Sequence, residues 1–271
     1  MAKKILLTDN GVHREVKDGY ITVNGVYRKI KEGFITVDGV YRSFMSSGRP
    51  LTDLPVGTLI RTNVNGAAKN FIVVHQGLPS SKYDSSCNGT WLLMKDIYES
   101  RQWHSRNSNS YKASTIHTYL NGTFLNLFDA DIKAQFKTVK IPYVNGTGSS
   151  AVASGSSGLS AQIFLLSGYE VGWTQSTNSL FPIDGACLSY FSGTAATDSK
   201  RIAYLDGTAT YWWLRSPGTH DASNAWGVYI NGGNGISLCS DSCGVRPAFI
   251  LPSNALVNPT PNADGSYTLL V

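Results

Sequence analysis

The chain has 271 residues, of which 15% are charged, 42% are hydrophobic and 27 are glycine. That balance excludes a charge-rich disordered chain and argues against a mostly helical one. The longest apolar runs are four or five residues, far short of the roughly 20 that a membrane-spanning helix needs, so no membrane insertion is expected. The net charge of +5 is gathered in residues 1–50, with nine Lys/Arg against five Asp/Glu. Those basic residues recur within repeats and read as solvated strand faces, so no nucleic-acid partner is expected.

The first nine residues, MAKKILLTD, hold two lysines and then only three apolar residues. This reads as neither a signal peptide nor a lipoprotein anchor, so the expectation is that a role outside a cell would need another route of delivery. From residue 11 a repeat sets in. Gly11-Val12-His13-Arg14, Gly25-Val26-Tyr27-Arg28 and Gly39-Val40-Tyr41-Arg42 recur every 14 residues, each after Asn10, Asn24 or Asp38. Asn-Gly and Asp-Gly favour the positive φ of a two-residue hairpin turn. Lys17-Asp18-Gly19 and Lys31-Glu32-Gly33 supply a second turn per repeat, between β-branched and aromatic segments such as Tyr20–Val23 and Phe34–Val37. The expectation is a meander of about six strands in residues 4–44. It either folds against the rest of the chain or makes residues 1–48 an attachment or homo-oligomerisation module. Residues 46–50 read as a linker.

Residues 49–271 then form the main domain. Residues 56–60 and 70–74 read as strands joined through a turn at Asn65-Gly66, and residues 91–94 as another apolar strand. Ser114 is a candidate N-cap for a helix over 115–120, with Ile116 and Leu120 on one face and Asn121-Gly122 as its stop. A second short helix is expected over 129–136, with Ile132 and Phe136 inward. The Gly/Ser-rich stretch 145–160 reads as a mobile surface loop. Few helices, many short strands and long loops point to an α+β fold.

Tyr211-Trp212-Trp213-Leu214-Arg215-Ser216-Pro217-Gly218 is followed about 25 residues later by Gly244-Val245-Arg246-Pro247-Ala248-Phe249. With Ser114–Asn121 and Ile163–Ser167 upstream, this W-W-L-R-S-P…G-V-R-P-A frame resembles a family of bacterial and phage C-type-lectin-like domains over roughly residues 54–258. That family includes variable proteins of diversity-generating retroelements, as in gut phages and prophages, in which adenine-directed mutagenesis rewrites one face to display new ligand-binding surfaces. The resemblance implies a C-type-lectin-like domain with its variable segment at about 211–249. Such mutagenesis of the asparagine-type codons common in templates cannot reach Lys, Glu, Gln, Met or Trp. Residues 217–244 hold one residue of those types, Trp226.

Trp212 and Trp213 read as core anchors. Arg215 and Arg246 flank the segment and each wants a carboxylate or backbone carbonyls, which would pin its two ends. Between them, Val228, Ile230, Ile236 and Leu238 alternate as the inward positions of two strands joined by a turn at 231–235. That leaves a polar and aromatic strip as the expected ligand-binding face: Thr219, His220, Asp221, Ser223, Asn224, Trp226, Tyr229, Asn231, Asn234, Ser237, Cys239, Ser240, Asp241 and Ser242. Rigid aromatics among small hydrogen-bonding residues are also the composition of antibody paratopes. Trp226 and Tyr229 are the expected anchors.

Two other chemistries would fit a fold of this class. Formylglycine-generating and iron-dependent sulfoxide-forming enzymes resemble this fold class, but copper chemistry there needs a cysteine pair. Cys239 and Cys243 are the only close one, and their spacing permits a disulfide or two free thiols as readily as a metal site. With Cys87 and Cys187 they are too few for a disulfide scaffold. The histidines (His13, His75, His104, His117, His220) form no metal-ligand spacing. Calcium-dependent lectins carry Glu-Pro-Asn, Gln-Pro-Asp and Trp-Asn-Asp motifs that this chain lacks, while calcium-free sugar stacking stays open. The expected reading is therefore a binding protein and not an enzyme, with no cofactor and no metal. It would recognise a bacterial surface protein or glycan from a virion tail or a cell surface. An undiversified carbohydrate- or protein-binding surface domain is the alternative.

Overall fold

A computed structural model describes the backbone of six strands within residues 6–46, and backbone and side chains of residues 48–106, 108–146, 151–175, 177–193 and 198–270. The N-terminal strands pair as three separate antiparallel hairpins, not as one sheet. They are β1 (Leu6–Asp9) with β2 (Val12–Glu15), β3 (Tyr20–Val23) with β4 (Val26–Lys29), and β5 (Glu32–Val37) with β6 (Val40–Ser46). Asp9 pairs with Val12, Val23 with Val26 and Val37 with Val40, the closures that two-residue turns require. The Asn-Gly and Asp-Gly pairs themselves, and Lys17-Asp18-Gly19, lie outside the described residues. Glu32 and Gly33, expected in a turn, belong to β5, with a register shift between Gly33 and Phe34.

The expected linker is held in place. Strand β7 (Arg49–Pro50) pairs with Leu256–Val257, and a Cβ on Gly48 would lie 2.8 Å from Leu256 Cβ and Leu270 Cδ1. From there β8 (Leu59–Val64) and β9 (Ala67–Gly77) form a hairpin through Asn65 and Gly66, both at positive φ (52° and 72°). Gly57, at φ +97°, turns the chain before β8, which is why that strand starts later than the apolar pattern suggests. Next comes β10 (Gly89–Met94), buried along its whole length, then β11 (Glu99–Gln102).

The Ser114 hydroxyl accepts from the His117 backbone N–H at 3.1 Å and caps α1 (Thr115–Tyr119). Asn121-Gly122 does not end the helix. The run continues as a π turn (Leu120–Phe124) and a 3₁₀ turn (Leu125–Leu127). The wider π turn lets the Asn121 amide leave the helix and donate to Ile163 O at 2.9 Å, while its carbonyl accepts from Gln162 N at 2.8 Å. A tertiary tie thus overrides the local stop signal. Helix α2 (Ala130–Lys133) is one turn long, with Ile132 and Phe136 buried as expected.

The Gly/Ser-rich stretch is largely ordered by pairing. Strands β12 (Val139–Ile141) and β13 (Tyr143–Val144) are matched by β14 (Val152–Ala153) and β15 (Leu159–Ala161); residues 147–150 lie outside the described residues. Then follow β16 (Ile163–Phe164), β17 (Tyr204–Leu205), β18 (Thr208–Ala209), β19 (Trp212–Pro217), β20 (Asn224–Val228), β21 (Asn234–Leu238), β22 (Ser242–Val245), β23 (Ala248–Leu251), β24 (Leu256–Val257) and β25 (Tyr267–Thr268).

Two sheets organise the domain. One has the order β16-β23-β10-β9-β8-β25 and the other β11-β22-β19-β20-β21. The first is antiparallel except where β25 lies parallel to β8; the second is antiparallel except for β19 beside β22. A continuous hydrophobic core, rich in aromatic rings such as Phe71, Trp91, Phe124, Phe128, Phe164 and Phe249, lies within the domain. The fold is mostly β, with short helices, in a mixed α+β arrangement. Among the described residues, no helix is long and apolar enough to cross a membrane.

Candidate ligand-binding face

Every residue of β19 is buried. The Trp212 indole N–H donates to Arg201 O and that of Trp213 to Arg101 O, each at 2.9 Å. Arg215 is fully enclosed and grips Glu170 through both terminal nitrogens, one at 2.6 Å. It also donates to Pro142 O (3.0 Å), Leu165 O (2.9 Å) and Asp184 O (2.9 Å). Glu170 in turn accepts from the Tyr83 hydroxyl at 2.7 Å and the Ser167 N–H at 3.0 Å. Such a buried pair is kept because each charge needs the other, and removing one partner typically costs about 3–5 kcal/mol. Beside it, Asp184 accepts from the Ser216 hydroxyl at 2.8 Å, and burial pushes its carboxyl up to about 6. Arg246 lies with its guanidinium 4.9 Å from the Trp212 ring centre. It donates to Met94 O at 2.8 Å and Lys95 O at 3.0 Å.

On this frame β20 and β21 form a hairpin, and β21 is the edge of the sheet. Trp226 pairs across from Ile236, and Gly227 from Gly235, so the two pairs lie on opposite faces. On the glycine side the Tyr211 and Tyr229 rings pack edge-to-face at 5.4 Å. A Cβ on Gly227 would come within 2.4 Å of the Tyr211 ring, and one on Gly235 within 2.3 Å of the Tyr229 ring. Both glycines are thus needed to seat the tyrosines.

The tryptophan side requires two corrections. Trp226, expected as an exposed anchor, is only 3% exposed. Its ring lies 4.1 Å from that of Phe181, which stacks on Trp173 at 5.6 Å. Ile236 and Leu238, expected inward, are each 42% exposed, and Ile230 is 54% exposed. Ile236 and Leu238 do share the Trp226 face, but the core that covers β20 ends before the edge strand, and Ile230 lies in the turn between the two strands. Cys239, expected on the outward strip, is buried because its segment is held from both sides: its N–H donates to Ser223 O at 2.8 Å and its carbonyl accepts from His104 N at 2.9 Å.

The remaining strip residues fall into two groups. Several spend their polar atoms on the turns that carry them. The Asp221 carboxylate accepts from Ser223 Oγ (2.6 Å) and Ser223 N (2.8 Å), which together hold it below the usual carboxylate range, and from Asn224 Nδ2 (3.0 Å). Asn231 accepts from Gly233 N at 3.0 Å and Asp241 from Leu238 N at 3.2 Å, while Ser240 O accepts from Gln102 at 2.8 Å. The others line the surface. Tyr229, His220 and Ser242 are exposed, and Asn234 and Ser237 half-buried. Thr219, which donates to Leu180 O at 3.1 Å, lines with His220, Phe181, Pro182 and Ile183 a cleft of about 590 Å³. Trp226 therefore supports the cleft wall through Phe181.

Sequence reasoning missed Asn109. This buried amide donates to Gly218 O (2.8 Å), Asp221 O (2.9 Å) and Asn224 O (3.0 Å), and its backbone N–H to Ala222 O (2.7 Å). It clamps the whole 218–224 loop from 110 residues away. Glu170, Tyr83 and Asp184 were missed as well; the one signal was that Arg215 in an apolar run must find a carboxylate.

All four cysteines are free thiols, so Cys239 and Cys243 are unpaired, and burial pushes both up to about 12. Among the described residues, no group of three His, Cys, Asp or Glu is placed to hold a metal.

Fold and site define a mixed α+β domain whose buried, tryptophan-rich frame strand β19 carries the β20–β21 hairpin at the sheet edge. Residues 88–253 match the family model described as a domain of unknown function, DUF6273, and the chain belongs to that family. No curated protein and no solved structure matches it.

Proposed function

We propose that this chain is a recognition protein, and not an enzyme, whose C-type-lectin-like scaffold displays a ligand-binding face on the β20–β21 hairpin and its flanking loops. The observation that carries this reading is the exposure of Ile236 and Leu238, each 42%, two residues apart on one face of the edge strand β21, with Tyr229 and Ile230, 51% and 54% exposed, in the turn that leads into it. Single exposed apolar side chains are ordinary, whereas a pair on one face of an edge strand, next to two more in the adjoining turn, supports an interaction surface. The edge is not blunted by lysine or proline, the usual protections against unwanted pairing. The partner is a bacterial surface protein or glycan, met from a virion tail or a cell surface. An interface of about 800 Å² per partner suits the hairpin, and self-association through residues 1–48 would add avidity.

The diversified-receptor reading has one physical support. Trp226, the single residue of 217–244 that adenine mutagenesis cannot produce, is buried against Phe181 and belongs to the fixed scaffold, while Tyr229, Ile230, Ile236 and Leu238 of the same segment are exposed. A reverse-transcriptase gene beside this one, with a near-copy of the segment encoding residues 211–249 differing at adenines, is the expected finding. Its absence would leave an undiversified binding domain.

The binding reading is tested with the labelled full chain on a panel of whole bacterial cells and a glycan array. The Ile236→Asp/Leu238→Asp variant should lose at least about tenfold in binding, as removal of interface anchors does, at an unchanged melting temperature. Equal binding by the variant, or no cell or glycan bound by the parent chain, would overturn the assignment.

A further inference from the structure

Arg246 does more than pin the frame. Its guanidinium has five N–H donors, of which Nε and Nη2 reach Met94 O and Lys95 O. Nη1 is buried and has no hydrogen-bond partner. A charged donor left unmatched away from water is costly, and folded proteins retain such groups mainly where something else satisfies them. Arg246 stands at a cavity of about 530 Å³ whose lining also includes Lys69, Lys95, Lys200, Asp96 and Asp206.

The lining carries four cations against two carboxylates. The Lys200 ammonium is held 5.7 Å from the centre of the Tyr190 ring. Ile72, Ile97, Ile202 and Tyr204 complete the walls with apolar surface. An excess of positive charge over one buried orphan donor suits a multiply charged oxyanion. A volume in the range of small-molecule sites, with apolar walls, suits an organic group attached to it.

We propose that this cavity binds the phosphate monoester of a small organic molecule, with Arg246 Nη1 as the buried donor and Lys69, Lys95 and Lys200 around the phosphate. The site is separate from the edge hairpin, shares no residue with it, and does not depend on the recognition reading above. It also gives Arg246 a reason to be arginine. A lysine would supply one point charge but could not lie against the Trp212 ring while donating to two carbonyls and a ligand at once.

Calorimetric titration of the full chain with glucose 6-phosphate, inorganic phosphate, glucose and acetate tests this. The expected order is glucose 6-phosphate tightest, inorganic phosphate weaker, and glucose and acetate without measurable heat. Lys95→Gln/Lys200→Gln, at two exposed positions, should fold normally and weaken the ester by about ten- to a hundredfold, the loss that goes with charged hydrogen bonds. Arg246→Lys should weaken it further if that variant folds; the double lysine variant decides the matter if it does not. Absence of binding by either phosphate at about 10 mM, or binding that the lysine variant leaves unchanged, would overturn the site. Acetate binding as tightly as the ester would overturn its assignment to phosphate, and inorganic phosphate binding as tightly would overturn the ester.

Discussion

Trp226 shows how a residue's type and its position can point to different roles. A tryptophan among serines, asparagines and glycines reads as the anchor of a binding face, yet its ring is packed on Phe181 and only the edge strand beyond it is wet. Trp226→Ala should therefore act through stability, costing about 3–5 kcal/mol as large aromatic truncations in a core do. Chemical denaturation would measure this, and Trp226→Phe should recover most of it. A variant that lost cell binding at full stability would instead return Trp226 to the surface role. The arginines were more legible. Arg215 sits in an apolar run, and a buried guanidinium must find a carboxylate or carbonyls; it found both. Which carboxylate it would be was not legible, because Glu170 has no local pattern to mark it.

At the scale of elements, what was legible followed local rules. The hairpin of β8 and β9 announced itself through Asn65-Gly66 between apolar runs, and α1 through Ser114. What was not legible depended on neighbours far along the chain. The helical run passes Asn121-Gly122 because Asn121 is held by residues 162 and 163, and β21 exposes Ile236 and Leu238 because it is an edge, a property of strand order that alternation cannot reveal. The strip's loop is a third case, since Asn109 organises it from outside. Asn109→Ala would leave three carbonyls without that donor, a cost of about 1–3 kcal/mol. Hydrogen exchange should speed up over residues 218–224 first, with β19 and β10 remaining protected. Uniform acceleration across the domain would show that the clamp belongs to the global fold rather than to the loop.

For the whole molecule, the N-terminal repeat folds as three similar hairpins in separate two-stranded sheets. Isolated two-stranded hairpins are marginal in water, so three in succession call for a partner surface, and further copies of the same repeat offer a matching one. Sedimentation of the full chain should accordingly give a mass that is a multiple of 29.3 kDa and that falls on dilution. A single 29.3 kDa species at all concentrations would remove self-association from the proposal.

The order of strands also sets a clock for synthesis. Strand β10 lies between β9 and β23, and the latter is contributed by Ala248–Leu251. While the ribosome works from residue 94 to residue 251, this strand, buried along its whole length in the finished fold, has one flank covered and the other open. At typical rates of elongation that interval is on the order of ten to thirty seconds. The nascent chain must therefore shelter an adhesive edge for longer than most small domains take to fold, and its yield in a cell should depend on holding chaperones more than on the stability of the finished protein.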